Sequence, residues 1–219
     1  MSERDPRSRL KLTEIFFSLQ GEGAHSGLPC TFVRLTGCAL RCVYCDTEYA
    51  FHGGEWWSFE AIFEQLERYP TRLIQVTGGE PLHQKPVWSF MAEASRRGYK
   101  VLLETSGAVA LGDLDPAVHV VLDVKTPGSG EAHRHLIENF DQLKPNDEVK
   151  FVVCDQADLA WSLSQIREWR LDQRFQVLIS PVANFQDKAI LADQVLESGL
   201  NVRFQVQLHK IIWGDTPGK

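Results

Sequence analysis

Three of the chain's five cysteines fall on one short stretch, at Cys38, Cys42 and Cys45. Clustered thiolates are soft ligands, suited to an iron–sulfur cluster or to zinc. A cubane cluster has four irons and normally four protein ligands, so three cysteines leave one iron open to a substrate or cofactor. A closed structural zinc site takes four ligands. This loop is one short of that, with His52 already seven residues past Cys45. The spacing Cys-x3-Cys-x2-Cys therefore favours a cluster that does chemistry over a structural zinc loop.

Elements of a regular kind must hold that loop. Cys30 to Thr36 is a β-branched and apolar run ended by Gly37, a strand directly before the cysteines. Thr13 onward is expected to be extended, up to a Gly21-Glu22-Gly23 turn that brings backbone close to something. Ser58 is placed to cap a helix with Phe59, Ile62, Phe63 and Leu66 at helical spacing. Strands follow at 73–77, 100–104, 118–124, 148–153, 175–179 and 202–206. Helical stripes lie at Val87, Phe90, Met91 and Ala94, at Leu159, Leu163 and Ile166, and at 192–196. Alternating strands and helices predict an α/β fold with a mostly parallel sheet. The strands read as near-continuous apolar runs, buried on both faces. Six or seven repeats are too few for a complete eight-fold barrel, and the connection at 105–117 is too short or polar for a crossover helix. The expected fold is a partial, abbreviated (β/α) barrel, with a doubly wound open sheet as the alternative. Residues 1–219 are expected to be one domain, with 1–11 a disordered tip. Cys30 reads as a core residue, and Cys154 as unrelated to the loop.

In both folds ligands belong at the carboxyl ends of the strands, and the unusual motifs stand there. The cysteine loop follows the first of these strands. Thr77-Gly78-Gly79-Glu80-Pro81 follows the second, where glycines admit a ligand to the backbone and Glu80 can pair with an ammonium group. Glu104-Thr-Ser106-Gly, Asp123-Val124-Lys125 and Ser180-Pro-Val end later strands. Each is also an ordinary turn or cap in its own right.

The chain has 23 basic and 29 acidic residues, a net charge of −6. No basic run interleaved with aromatics is present, which argues against nucleic acid as a partner. No apolar run approaches the length of a membrane span. The charged opening residues are not expected to be a signal peptide. The odd cysteine count is unlike a secreted disulfide framework, and a cytoplasmic location is expected.

The Cys38–Cys42–Cys45 spacing, with Tyr44 before the last cysteine, resembles the signature of radical S-adenosylmethionine (SAM) enzymes, and Gly78-Gly79-Glu80-Pro81 resembles their Gly-Gly-Glu-Pro motif. The resemblance implies a [4Fe-4S] cluster whose open iron chelates SAM, reductive SAM cleavage and a 5′-deoxyadenosyl radical. It also implies a SAM site drawn from Tyr44, Cys45, Asp46, Gly78, Gly79, Glu80, Glu104, Ser106, Asp123, Val124, Lys125 and Ser180.

Leu19-Gln-Gly-Glu-Gly23, Phe32-Val-Arg-Leu-Thr-Gly-Cys38, Cys45-Asp-Thr47, Val76-Thr-Gly-Gly-Glu-Pro81, Glu104-Thr-Ser-Gly107 and Gln207-Leu-His-Lys210 occur in one order across nearly the whole chain. In that order they resemble the 7-carboxy-7-deazaguanine synthase family of queuosine and 7-deazapurine biosynthesis. The resemblance implies a ring-contracting lyase that converts 6-carboxy-5,6,7,8-tetrahydropterin to 7-carboxy-7-deazaguanine with loss of ammonia and regenerates SAM. No side chain is assigned as catalytic, because the radical comes from SAM. Arg34 is assigned to the substrate carboxylate, which a guanidinium grips through two parallel bonds. Leu19, Gln20, Gly21, Glu22, Thr77, Gln207 and His209 are assigned to the pterin, and the Thr47 hydroxyl to a Mg2+ ion. The family further implies a homodimer and an electron donor such as flavodoxin or ferredoxin. Some members have threonine where this chain has Leu208. An activase that makes a glycyl radical on a partner protein shares the cysteine loop, but leaves Gln20–Gly23, Arg34 and Thr47 unexplained. A tRNA-modifying enzyme would want a basic extension, and an electron-transfer protein leaves Gly78–Pro81 without a purpose.

Overall fold

The computed structural model describes residues 6–216 and Gly218. Nine strands form one sheet in the order β3-β1-β2-β4-β5-β6-β7-β8-β9. They are β1 (Arg9–Leu19), β2 (Pro29–Leu35), β3 (Glu55–Ser58), β4 (Leu73–Gly78), β5 (Lys100–Thr105), β6 (His119–Val124), β7 (Glu148–Val153), β8 (Gln176–Pro181) and β9 (Val202–Phe204). From β2 onward every pairing across the sheet is parallel. β1 pairs antiparallel with both β2 and β3. Four helices cover one face or edge: α1 (Phe59–Leu66), α2 (Val87–Arg96), α3 (Gln156–Trp169) and α4 (Lys188–Glu197). A short fifth, α5 (Leu208–Trp213), follows β9. The seven strands expected from β-branched runs are all present, and Ser58 caps α1 by accepting from the Ala61 N–H at 3.2 Å.

Three expectations need correction. Residues 9–11, assigned to a disordered tip, begin β1, because Leu10 and Leu12 are buried in the main core while Arg9 to Leu12 pair with β3. Residues 1–5 of that tip lie outside the described residues. The strand before the cysteines is the second, not the first, since Thr13–Leu19 belongs to a long hairpin arm. The strands are also not apolar on both faces. Val33, Leu35, Ile74, Val76, Val101, Leu103, Val120, Leu122, Val149, Phe151, Val177 and Ile179 alternate onto the helix-covered face and join one core. The alternate residues Gln75, Thr77, Glu104, Asp123, Glu148 and Lys150 point to the other side, where only Cys30, Phe32, Leu73 and Leu102 form a small apolar cluster.

The barrel is abbreviated for two reasons. The β5–β6 connection holds no α-helix, as expected for 105–117. The β6–β7 connection holds only 3-10 turns, at Pro127–Ser129, Ala132–Arg134 and Ile137–Asp141. The face opposite the helices carries Gln75, Thr77, Glu104, Asp123 and Lys150, which line a cavity.

Packing on the covered face is aromatic. Phe90 of α2 stacks on Phe63 of α1 with ring centroids 5.3 Å apart, and Phe59 meets its edge at 5.4 Å. Phe90 is completely buried. Phe90→Ala should lower the unfolding free energy by about 3–5 kcal/mol, read from urea titrations of the purified protein.

Candidate active site

A cavity of about 520 Å³ opens at the carboxyl ends of the parallel strands. Its rim is the cysteine loop, and its floor is the polar face of the sheet.

The loop is fastened by backbone. Leu35 ends β2, and its carbonyl accepts from the Gly79 N–H at 3.1 Å; the Gly37 carbonyl accepts from the Glu80 N–H at 2.8 Å. A side chain at either glycine would stop this approach. A Cβ on Gly78, whose φ is +146°, would lie 2.2 Å from the Leu35 carbonyl oxygen, and one on Gly79 would lie 2.2 Å from that of Gly37. The far side of the loop is tied to the β6–β7 connection: Val43 N–H donates to Ser129 O at 3.1 Å, and Arg41 N–H to Glu131 Oε1 at 2.7 Å. Arg41 Nη1 also donates to the Cys38 and Leu40 carbonyls, and its guanidinium lies 4.2 Å from the Phe51 ring centre. Cys38, Cys42 and Cys45 all line the cavity. Burial raises all three thiols, Cys42 to about 11, with Lys125 opposing at each.

The floor centres on Lys150. It is 3% exposed. Its Nζ lies 3.0 Å from Glu22 Oε2 and 3.4 Å from Asp123 Oδ2, and it pairs closely with Glu104 Oε1. Burial alone would lower the lysine, but Glu104, Glu22 and Asp123 together hold it well above its ordinary range. Burial raises Glu22 against the pull of Lys150. Asp123 is pushed up by burial, yet Lys125, 3.0 Å away, and Lys150 bring it below the usual range. Beside this group Gln75 donates to Glu104 Oε2 at 2.6 Å and accepts a close hydrogen bond from Gln20. Gln20 Oε1 in turn accepts from the Gly21 N–H at 2.8 Å.

α5 closes one side. Leu208 N–H donates to the Gly21 carbonyl at 3.0 Å. The His209 ring packs so closely that a Cβ on Gly21 would lie 2.1 Å from Nδ1. Lys210 lies 4.0 Å from Asp46 Oδ2. Burial pushes Asp46 up, but the Thr47 hydroxyl, donating at 2.7 Å, and the Lys210 and Arg34 charges outweigh it and hold it low.

Most residues singled out in the sequence meet here. Leu19, Gln20, Gly21, Glu22, Arg34, Thr77, Gln207 and His209 line the cavity. So do Tyr44, Asp46, Thr47, Gly78, Gly79, Glu104, Ser106, Asp123 and Lys125. Three do not. Val124 alternates onto the helix-covered face and packs in the core. Ser180 is fully buried away from the cavity lining. Glu80 is fully buried beneath the rim, and its carboxylate accepts from Leu82 N–H (3.0 Å), Thr105 Oγ1 (2.8 Å), Ser106 N–H (2.8 Å) and Ser106 Oγ (2.5 Å). It therefore ties the end of β4 to the end of β5 instead of facing the cavity. Arg34 does both: Nε donates to Glu14 Oε1 at 2.7 Å while the side chain lines the cavity. Lys150 and Gln75 were missed by sequence reasoning. The signal was present, as a single cation or amide interrupting a buried apolar run.

The residues fit the groups that the cysteine spacing calls for. Three thiols from one loop face one cavity. Around it Tyr44 Oη, Asp123 Oδ1 and Glu22 Oε1 are buried with no hydrogen-bond partner among the described residues, an arrangement that a polar ligand would satisfy.

The sequence profile of the Radical SAM superfamily matches residues 32–136. A solved structure titled as QueE from Escherichia coli superposes with a TM-score of 0.75 at 21% identity, covering 90% of this chain and 94% of that one. The fold and the three-cysteine cavity are those of a radical SAM enzyme. The 7-carboxy-7-deazaguanine synthase of Koribacter versatilis is 42% identical over 219 residues, which cover 93% of this chain and 97% of that protein. The same-named protein of Chlorobaculum tepidum is 38% identical, over 93% and 94%. The chain belongs to the 7-carboxy-7-deazaguanine synthase family, and is a radical SAM lyase; the activase reading is not favoured.

Lys150→Met should leave Glu22 and Glu104 without their cation, Asp123 keeping Lys125, and cost about 3–5 kcal/mol, with part of that recovered in the Glu22→Gln/Lys150→Met double variant; urea unfolding of the set tests this. His209 gives a pH signature. Burial lowers its ring below the ordinary 6.5, Asp46 opposing. Its contribution to stability is therefore complete above the unfolded value and is lost as the pH falls through the folded one. His209→Gln should flatten the loss of stability that sets in as the pH falls below the ordinary 6.5. His25, lowered in the same direction, keeps some slope.

Proposed function

We propose that the cavity binds 6-carboxy-5,6,7,8-tetrahydropterin with its pyrimidine edge on the Gln20–Gln75–Glu104 floor and its carboxylate toward Arg34. The chain makes 7-carboxy-7-deazaguanine, the product its family is named for, with loss of ammonia. The observation that carries the substrate pose is the row of amides and carboxylates on a buried sheet face directly below the cysteine rim. A pterin edge presents N–H donors beside a carbonyl, and carboxylates and amides are the acceptors and donors that match it.

Cys38, Cys42 and Cys45 would hold a [4Fe-4S] cluster, and Tyr44, Asp46, Gly78, Gly79, Ser106, Asp123 and Lys125 would surround SAM. When bound, these groups would supply radical chemistry directed at C6 of the pterin. The chain's own work is positional. Lys150 keeps Glu22 and Glu104 in register, so that the pterin meets acceptors already in place and needs little reorganisation. Arg34, braced by Glu14 and lying 5.6 Å from the Phe16 ring centre, orients the carboxylate. His209, held neutral by burial, covers the substrate without adding charge. Thr47 supplies a hard oxygen for Mg2+ beside Asp46, the rest of the shell being water and substrate. Electrons from a flavodoxin or ferredoxin, a homodimer, a single domain over 1–219 and a cytoplasmic location belong to the same proposal. Among the described residues no helix is long and apolar enough to cross a membrane.

Anaerobic assays of the reconstituted protein test the pose. Arg34→Lys should raise KM for the carboxylated pterin roughly 10- to 100-fold and leave cluster content unchanged. Thr47→Ser should keep the response to Mg2+, and Thr47→Val should lose it. Equal KM values for wild type and Arg34→Lys would remove Arg34 from the substrate, and a Mg2+ response surviving in Thr47→Val would remove Thr47 from the ion.

A further inference from the structure

A second group of ligand-type side chains lies outside the cavity lining. His119 opens β6, Glu148 opens β7, and His25 stands in the turn between β1 and β2. One ligand atom from each falls within 4.8 Å of the other two. His119 and Glu148 are buried, and His25 is partly buried beside them.

Their hydrogen bonding is incomplete in a directed way. Glu148 Oε1 accepts from the Ala24 N–H at 2.7 Å, while Oε2 turns toward His119 Nε2 at 3.2 Å. The other His119 nitrogen, Nδ1, lies 3.9 Å from Asp147 Oδ1. Asp147 is itself fixed by the Val120 and Lys144 N–H groups at 2.9 and 2.8 Å. Neither ring nitrogen of His25 has a hydrogen-bond partner among the described residues. Its ring meets His119 edge to face, with centroids 5.1 Å apart. A plain His119–Glu148 hydrogen bond accounts for two of the three residues, but not for the third imidazole, whose ring nitrogens are open to a ligand at the mouth of the group.

We propose that His25, His119 and Glu148 form a zinc site that pins the β1–β2 turn to the sheet, separate from the cysteine centre. Two imidazoles and a carboxylate are a zinc donor set, with a fourth position left for water. Asp147 behind His119 is the carboxylate that such histidines commonly carry to fix their orientation. Two carboxylates, Glu148 and Asp147, face the site; Lys144 pairs with Asp147 at 3.3 Å, and the Lys100 charge reaches His25 and, after burial, favours its neutral, ligating form. The turn also carries Gln20 and Glu22, so zinc here would stiffen the side of the cavity that meets Lys150. The donor atoms need to draw together by roughly 1–1.5 Å to reach tetrahedral spacing, which side-chain rotation can supply.

The cluster-loaded enzyme, dialysed against metal-free buffer, is titrated with Zn2+ against a chromophoric chelator. About one tightly held zinc per chain is expected beyond the cluster iron. His25→Gln should weaken that binding by at least about 10- to 100-fold and lose the zinc-dependent rise in melting temperature. X-ray absorption at the zinc edge of the wild type gives a readout independent of any variant, with nitrogen and oxygen ligands at about 2.0–2.2 Å and no sulfur. No retained zinc, equal binding by His25→Gln, or sulfur in the zinc shell would each overturn the proposal.

Discussion

A buried ammonium among three carboxylates sets the geometry of the concave face. Lys150 reaches from β7 to Asp123 on β6, to Glu104 on β5, and across to Glu22 in the turn after β1. Without the lysine, that many anions in a mostly desolvated space would repel one another or take up protons. With it, they are held in fixed register, and Gln75 and Gln20 extend the network to the hairpin. A charge cluster of this kind is a poor source of stability, because desolvation offsets much of its attraction. Its value here is position: it fixes a set of hydrogen-bond acceptors on the cavity floor.

The rim is built differently, from main chain. Gly78 and Gly79 let the end of β4 slide against the end of β2, so the cysteine loop rests on backbone hydrogen bonds that no side chain can disturb. Glu80 completes this by tying β4 to the start of the β5–β6 loop through four accepted hydrogen bonds. Rim and floor meet at Asp123, which pairs with Lys150 on one side and, on the other, with Lys125 beneath the Tyr44 ring of the cysteine loop.

Much of this was legible in the chain itself. The seven parallel strands declare themselves because their helix-facing residues are β-branched or aliphatic, and Ser58 announces α1 by its cap. The cysteine spacing and the paired glycines named the rim. What stayed hidden was hidden for physical reasons. The floor is polar on alternate residues only, so Lys150 and Gln75 look like interruptions in apolar strands until the sheet places them side by side. Glu80 reads as a ligand-facing acid because sequence cannot show that four protein donors converge on it. Val124 shares a motif with Asp123 and Lys125 but alternates to the opposite face. The helix after β9 has six residues and no side-chain cap, too short for a periodicity to show.

The central claim is spatial: one cavity brings a pterin on the Lys150-centred floor beneath a cofactor held at the cysteine rim. An anaerobic crystal structure of the reconstituted enzyme with SAM and 6-carboxytetrahydropterin measures this directly. The account predicts iron at Cys38, Cys42 and Cys45, the pterin edge against Glu22, Glu104 and the Gln20–Gln75 pair, and C6 in van der Waals reach of the 5′ carbon of SAM. A pterin seated elsewhere, or one whose C6 is held apart from that carbon by the Lys150 network, would contradict it.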